Sequence, residues 1–430
     1  MLVVGRWTGR EAQALRYALR MTFDEFAEHL GVARRTVAKW MAEGADIVPL
    51  LVLQEALDTA LDRASDQAKR RFTSLLGDHG MAMSDSGERN REGDDVDRRH
   101  ALAAGLGALV PHNVLERIVH VGGGPVDMTT VADHEVVAEV LADRHSTAHR
   151  EALLGLVDRH ASILLALLDR PMGGDERRRL DVLSTGAHAQ AATLALSAHK
   201  PVDARRYLAL VRDIADESDD LTLQAQALAV SADPGMPWFA PDGGINDPGR
   251  VERFLSGAIA RARGADGHTR AWVHRWAAVV VAAKGDERGF RFHMEAADRT
   301  LDQAAAVERV GFLAHFAPKE GRETGATEGI ALRLLGRVDD ADAALARALA
   351  AAAPEWTSRR AKLLVDIAAV HVLRNAPEET CDSLISALDL ADEGGVWVVV
   401  SRAHGVRSTF PESWDGKSCV ADLDEHLRVA

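Results

Sequence analysis

The chain has 430 residues and a formal net charge of −14, with 47% hydrophobic and 27% charged residues. That length exceeds one simple core, so two or more domains are expected. Its only cysteines, Cys381 and Cys419, exclude a disulfide framework and fit a reducing cytosol. No run of about 18 apolar residues occurs, so no membrane span is expected. The start, MLVVGRWTGREA, meets charge too soon for a secretory signal, and a cytoplasmic protein follows. Low aromatic content with abundant alanine and leucine favours helices over sheets.

The overall acidity argues against nucleic acid, but its distribution does not. Residues 1–40 hold seven basic side chains against four acidic ones, a surplus of three that leaves −17 for the remainder. Two capping boxes open the chain, Thr8 with Glu11 and Thr22 with Glu25. A first helix from about Thr8 to Arg20 is expected to bury Ala12, Leu15 and Leu19. A second, from Thr22 to about His29, buries Phe23, Phe26, Ala27 and Leu30. Gly31 supplies a turn, and a third helix from about Arg34 to Met41 faces Val37 and Trp40 inward and Arg34, Arg35, Ala38 and Lys39 outward. Pro49 opens an amphipathic segment with the stripe Leu50, Leu53, Leu57, Leu61, Ala64, Ala68, Phe72 and Leu75, which is expected to pack on this head.

Residues 78–97, DHGMAMSDSGERNREGDDVD, read as a linker. The division is then 1–76 for the head, 77–97 for the linker and 98–430 for the body. Helical spacing recurs through the body, in segments near 98–109, 131–142, 145–169, 175–198, 201–217, 219–231, 250–264, 268–284, 286–305, 324–336, 338–352, 356–373 and 377–392. Many helices joined by short loops predict antiparallel pairs stacked as a solenoid. GIALRLLGRVDDADAALARALA and VDIAAVHVLRNAPEETCDSLISALDLA superimpose with a shift of about 39, aligning Gly336 with Asn375, and 282–301 is a fainter copy. That period is near the tetratricopeptide one, although the repeat signature is degenerate.

Few constellations in the body suggest chemistry. His145 and His149 lie four apart on an expected helix near Asp143; the spacing suits a metal, but a surface or groove pair is the simpler reading. VGGGPVD at 121–127 lacks both a dinucleotide fingerprint and a phosphate-loop lysine, and reads as a turn. No spaced nucleophile, base and acid stand out, so no catalytic residue, no metal and no cofactor is expected. The loop SADPGMPWFAPDGGINDPG at 231–249 is long for a solenoid connection. Its prolines stiffen it, so Trp238 and Phe239 either plug a groove by packing within the chain or meet a ligand or partner.

The run Met21-Thr22-Phe23-Asp24-Glu25-Phe26-Ala27, then Gly31-Val32-Ala33 and Trp40-Met41, resembles the Cro/CI-type helix-turn-helix family, often called XRE. The fuller stretch, about residues 6–72, looks like an actinobacterial subgroup of such regulators with a tetratricopeptide-like body. Phe23 stands where the family has glutamine, Ala33 where it has serine and Met41 where it has glutamate. The resemblance implies that the third helix enters the major groove of double-stranded DNA. It implies DNA contacts by Thr22, Arg34, Arg35, Thr36, Ala38 and Lys39, with the arginine forks suited to guanine. One recognition helix covers a half-site, so a homodimer is expected.

The expected architecture is all-α, an N-terminal helix-turn-helix domain followed by a tetratricopeptide-like α-solenoid. The expected function is a dimeric, sequence-specific transcriptional regulator whose body serves dimerisation or senses a small-molecule or peptide effector. The alternative is a protein-interaction scaffold with a head that does not bind DNA.

Overall fold

A computed structural model describes residues 98–430 apart from Ala108, 121–123, Ser146, 305–323 and Ala430. In the N-terminal region it describes 7–19, 23–30, 36–37, 56–57 and 59–61, and Met21, Val32, Trp40, Pro49, Gln54, Ala64, Lys69 and Phe72. The linker 77–97 lies outside the described residues. The chain forms two compact units, residues 1–94 and 95–430. Among the described residues it is helical, with no strand beyond an isolated bridge between Val126 and Met172. No helix among them is long and apolar enough to cross a membrane.

In the first unit, α1 (Gly9–Leu19) and α2 (Phe23–Leu30) surround a small core. The start of α1 is fixed by Glu11, whose carboxylate accepts the backbone N–H of Thr8 at 2.8 Å and also its hydroxyl. Satisfying an otherwise orphaned amide is what a capping glutamate does. Ala12, Leu15, Phe26, Ala27, Val37 and Trp40 are buried together with Leu57, Leu61 and Phe72 from the amphipathic segment. Trp7 stacks on Phe72 with ring centroids 5.9 Å apart, tying the start of this unit to its end.

The second unit is the solenoid. Residues 98–106 are helical, followed by α3 (His112–Val119), α4 (Met128–Asp143), α5 (Arg150–Leu168), α6 (Gly174–Ser197), α7 (Pro201–Glu217), α8 (Leu221–Ala232) and α9 (Pro248–Ala262). Next come α10 (Gly267–Ala283), α11 (Glu287–Ala304), α12 (Thr324–Leu334), α13 (Val338–Ala351), α14 (Thr357–Leu373), α15 (Pro377–Gly394), α16 (Trp397–Arg407) and α17 (Ser418–Val429). Helices α3, α16 and α17 were not distinguished in the sequence as separate segments. Each is short, and α16, WVVVSRAHGVR, breaks the apolar period with a run of valines.

Local chemistry sets these boundaries. Asp127, Asp220 and Asp266 cap α4, α8 and α10 by accepting backbone N–H groups of the first turn, and Asp247 caps α9. The turns inside the pairs repeat one geometry. Gly285, Gly336 and Asn375 adopt φ of 74°, 75° and 56°, where glycine and asparagine are strained least. In each, the next backbone N–H returns to a carbonyl of the helix just ended: Asp286 to Val281 at 3.0 Å, Arg337 to Leu332 at 2.9 Å, Ala376 to His371 at 3.1 Å. This is the glycine-type helix stop, and it gives the repeat seen in the sequence a physical basis. Close packing within a pair also needs small residues: a Cβ on Gly329 of α12 would lie 2.6 Å from Leu345 of α13.

The pairs α6/α7, α8/α9, α10/α11, α12/α13 and α14/α15 stack so that their first helices form one layer. Helix α6 packs on α8, α8 on α10, α10 on α12, α12 on α14 and α14 on α16, and α16 returns to touch α6. The connection after α8 crosses this layer and presses on α16, where a Cβ on Gly405 would fall 1.8 Å from the Pro241 carbonyl oxygen.

Candidate functional site

The inner layer brings charged residues from distant parts of the chain into one interior cluster. Helix α14 supplies Lys362 and Asp366, α16 supplies Arg402, α12 supplies Arg333, and Arg150 begins α5. Asp233 ends α8, at the mouth of the loop that holds Trp238 and Phe239.

Arg402 and Asp366 are 1% and 2% exposed, and Arg402 Nη2 donates to Asp366 Oδ1 at 2.5 Å. Nε and Nη1 of Arg402 are buried with no acceptor among the described residues. Arg150, 2% exposed, donates from Nη1 to the His145 carbonyl, while its buried Nε meets no acceptor among the described residues. Burial pushes the Arg150 guanidinium down to about 10. Arg333 Nη2 donates to the Gly243 carbonyl at 2.6 Å, which fastens the loop, and its buried Nε also meets no acceptor among the described residues. Burial lowers the Arg333 pKa, partly offset by Asp366 and reinforced by Arg402.

Lys362 Nζ donates to Ser197 Oγ of α6 at 3.1 Å and sits 5.1 Å from the centre of the Phe239 ring. Protein surrounds it, yet part of its side chain stays accessible. Burial pushes its pKa down to about 7; Arg150 and Arg402 push the same way, and Asp233 and Asp366 oppose them. Asp233 accepts from Trp238 Nε1 at 2.6 Å and lies 3.4 Å from the Thr193 hydroxyl. Burial nonetheless raises it to about 6. Four cations thus face two buried carboxylates, and four guanidinium nitrogens lack acceptors among the described residues. Buried donors of charged groups are costly to leave unpaired. The cluster therefore carries an excess of cationic donors over carboxylates among the described residues.

An aromatic wall adjoins the cluster through Trp238. Its ring lies 5.0 Å from Trp276 of α10, which lies 4.7 Å from Trp272. All three indoles are half-buried.

Of the residues singled out in the sequence, Trp238 and Phe239 stand in this cluster. They both pack within the chain and keep partial exposure. His145 and His149 are not on a helix: His145 lies in the turn after α4, and exposed His149 precedes α5, its ring against Gly395. The helix expected from 145 therefore starts at Arg150. Burial, Arg150 and Lys362 hold His145 well below the usual imidazole range. Among the described residues, no group of three or more His, Cys, Asp or Glu is placed to hold a metal. In the head, Thr36 is helical and half-buried; Thr22, Arg34, Arg35, Ala38 and Lys39 lie outside the described residues.

Sequence reasoning missed Arg150, Arg333, Lys362, Asp366 and Arg402. A signal existed: Asp366 and Arg402 are 36 residues apart, close to one repeat, on first helices of successive units. Comparison with family models, with curated proteins and with solved structures returns no match.

Proposed function

We propose that the chain is a homodimeric, sequence-specific DNA-binding transcriptional regulator whose helical body senses an effector at the inner-layer cluster. The observation that supports the DNA reading is the core of the first unit, where Phe26, Ala27, Val37 and Trp40 are buried together. A recognition helix built on Val37 and Trp40 has positions 35, 38 and 39 on its other face by the helical period. There the sequence has Arg35, Ala38 and Lys39. The remainder of the chain is strongly acidic, so stray DNA is repelled and binding relies on the basic head.

Selection of bound fragments from genomic DNA, followed by mobility shifts over a salt series, tests this. Arg34→Ala or Arg35→Ala is expected to cost about 1–3 kcal/mol on the selected site and relax one base position. Lys39→Ala weakens all DNA alike and lowers the salt slope by about one. If no fragment is enriched, or all three substitutions leave binding unchanged, the scaffold reading replaces the regulator.

A further inference from the structure

We propose that the effector is a small organic anion whose phosphoryl or carboxylate group sits among Lys362, Arg150, Arg402 and Arg333, with its apolar part against Phe239 and Trp238. This rests on reading the cluster as the effector site, and it adds the chemical class.

Three observations carry it. Four cations meet only two buried carboxylates, and the bare guanidinium nitrogens point to an acceptor that the described chain does not provide. A phosphoryl or carboxylate oxygen is the natural partner for such a fork. Second, Lys362 is enclosed yet partly accessible, bonded among the described residues only to the neutral Ser197 hydroxyl and lying over Phe239. It can turn a proton toward an incoming anion without breaking an ion pair. Third, the loop is held in place at its base and along its length, by Trp238 on Asp233 and by Arg333 on Gly243. Its aromatics are therefore set beside the cations before any ligand arrives, and preorganisation favours affinity.

The groups facing Lys362 are Arg150 and Arg402, which repel its proton, Asp233 and Asp366, which favour it, and the His145 imidazole, which burial, Arg150 and Lys362 together keep neutral. An added anion tips that balance, so binding near neutral pH takes up a proton. A buried site is also screened little by salt, unlike attraction to scattered surface charge.

Calorimetric titration of the full chain with inorganic pyrophosphate and, separately, with citrate tests the proposal without DNA. At least one is expected to bind once per chain, tighter than about 1 mM, and to keep binding at raised salt. The two arms tell phosphoryl from carboxylate preference. Lys362→Met and Arg150→Met should each weaken binding at least about tenfold. Arg178→Met, at a side chain that is 68% exposed, should change nothing. The heat should depend more steeply on buffer ionisation in the wild type than in Lys362→Met, the difference being the proton taken up at Lys362. Neither substitution strands a carboxylate bonded to it, and far-ultraviolet dichroism checks the fold; should Arg150→Met unfold, Lys362→Met decides alone. Absence of binding by both probes, or binding unaltered in Lys362→Met, overturns the proposal. Binding that survives in Arg35→Ala keeps it whatever becomes of the DNA reading, and a bound anion that leaves mobility shifts unchanged refutes only the sensing link.

Discussion

Asp366 and Arg402 allow the inner layer to be tested by stability. Their side chains are 3% and 1% exposed and share one bond of 2.5 Å. Replacing Asp366 with leucine leaves the Arg402 guanidinium buried, with Nε and Nη1 already lacking acceptors among the described residues and Nη2 now lacking its carboxylate. Breaking a buried pair from one side costs about 3–5 kcal/mol, because the surviving charge is uncompensated. The upper half of that range is expected here, since no second carboxylate is bonded to Arg402 among the described residues. Replacing both residues, Asp366→Leu with Arg402→Met, removes both charges and keeps apolar volume, so the double variant should return to within about 1–2 kcal/mol of the parent. A double-mutant cycle should then give a coupling of at least about 3 kcal/mol, the top of the usual range or beyond it. Urea unfolding of the full chain followed by far-ultraviolet dichroism reads these differences in the body transition. A single substitution costing less than about 1 kcal/mol, or a double variant as unstable as the sum of the singles, refutes the reasoning.

Titration gives two signed expectations. Lys362 is pushed from 10.5 to about 7, so its stability contribution rises with pH between about 7 and 10.5 and is lost as pH falls through 7; Lys362→Met should flatten that rise in urea midpoints. Asp233 is raised from 3.8 to about 6, so its contribution is full below about 3.8 and lost as pH rises through 6; Asp233→Asn should remove that loss. Gly405→Ala must push a methyl into the Pro241 carbonyl, 1.8 Å from its ideal position, so the loop has to leave α16. The expected result is a loss of about 1–3 kcal/mol, together with faster proteolysis between 233 and 247. Unchanged proteolysis and stability would show that the loop does not depend on this contact.

The all-helical solenoid was legible because local signals recur along the chain. Apolar period, aspartate cap and a glycine or asparagine stop at 285, 336 and 375 all point the same way, and such agreement across levels is what makes a fold readable. The cluster was not legible. Lys362 stands in SRRAKLLVD, which reads as an ordinary solvated helix face, and only the stacking of α14 between α12 and α16 turns it inward. Trp238 and Phe239 were visible because aromatics between prolines are unusual in a loop. What they pack against, Asp233 and Lys362, depends on contacts across the solenoid that no local pattern encodes.

The energetics bear on the proposed sensing role of the cluster. A fold that gathers four cations around two carboxylates gives up stability, since each unpaired buried group adds a penalty. A ligand at a hundred times its dissociation constant adds about 2.7 kcal/mol of stability. The cluster touches α6, α8, α12, α14 and α16 together, so occupancy acts on the whole inner layer rather than on one helix. Coupling to a distant partner requires only that the layer have two arrangements that the ligand weighs differently. The contact of α16 with α6 and the loop that crosses between them is where such a difference would be read. A solenoid open at both ends could relax one pair at a time, whereas one whose last inner helix returns to its first must adjust as a unit.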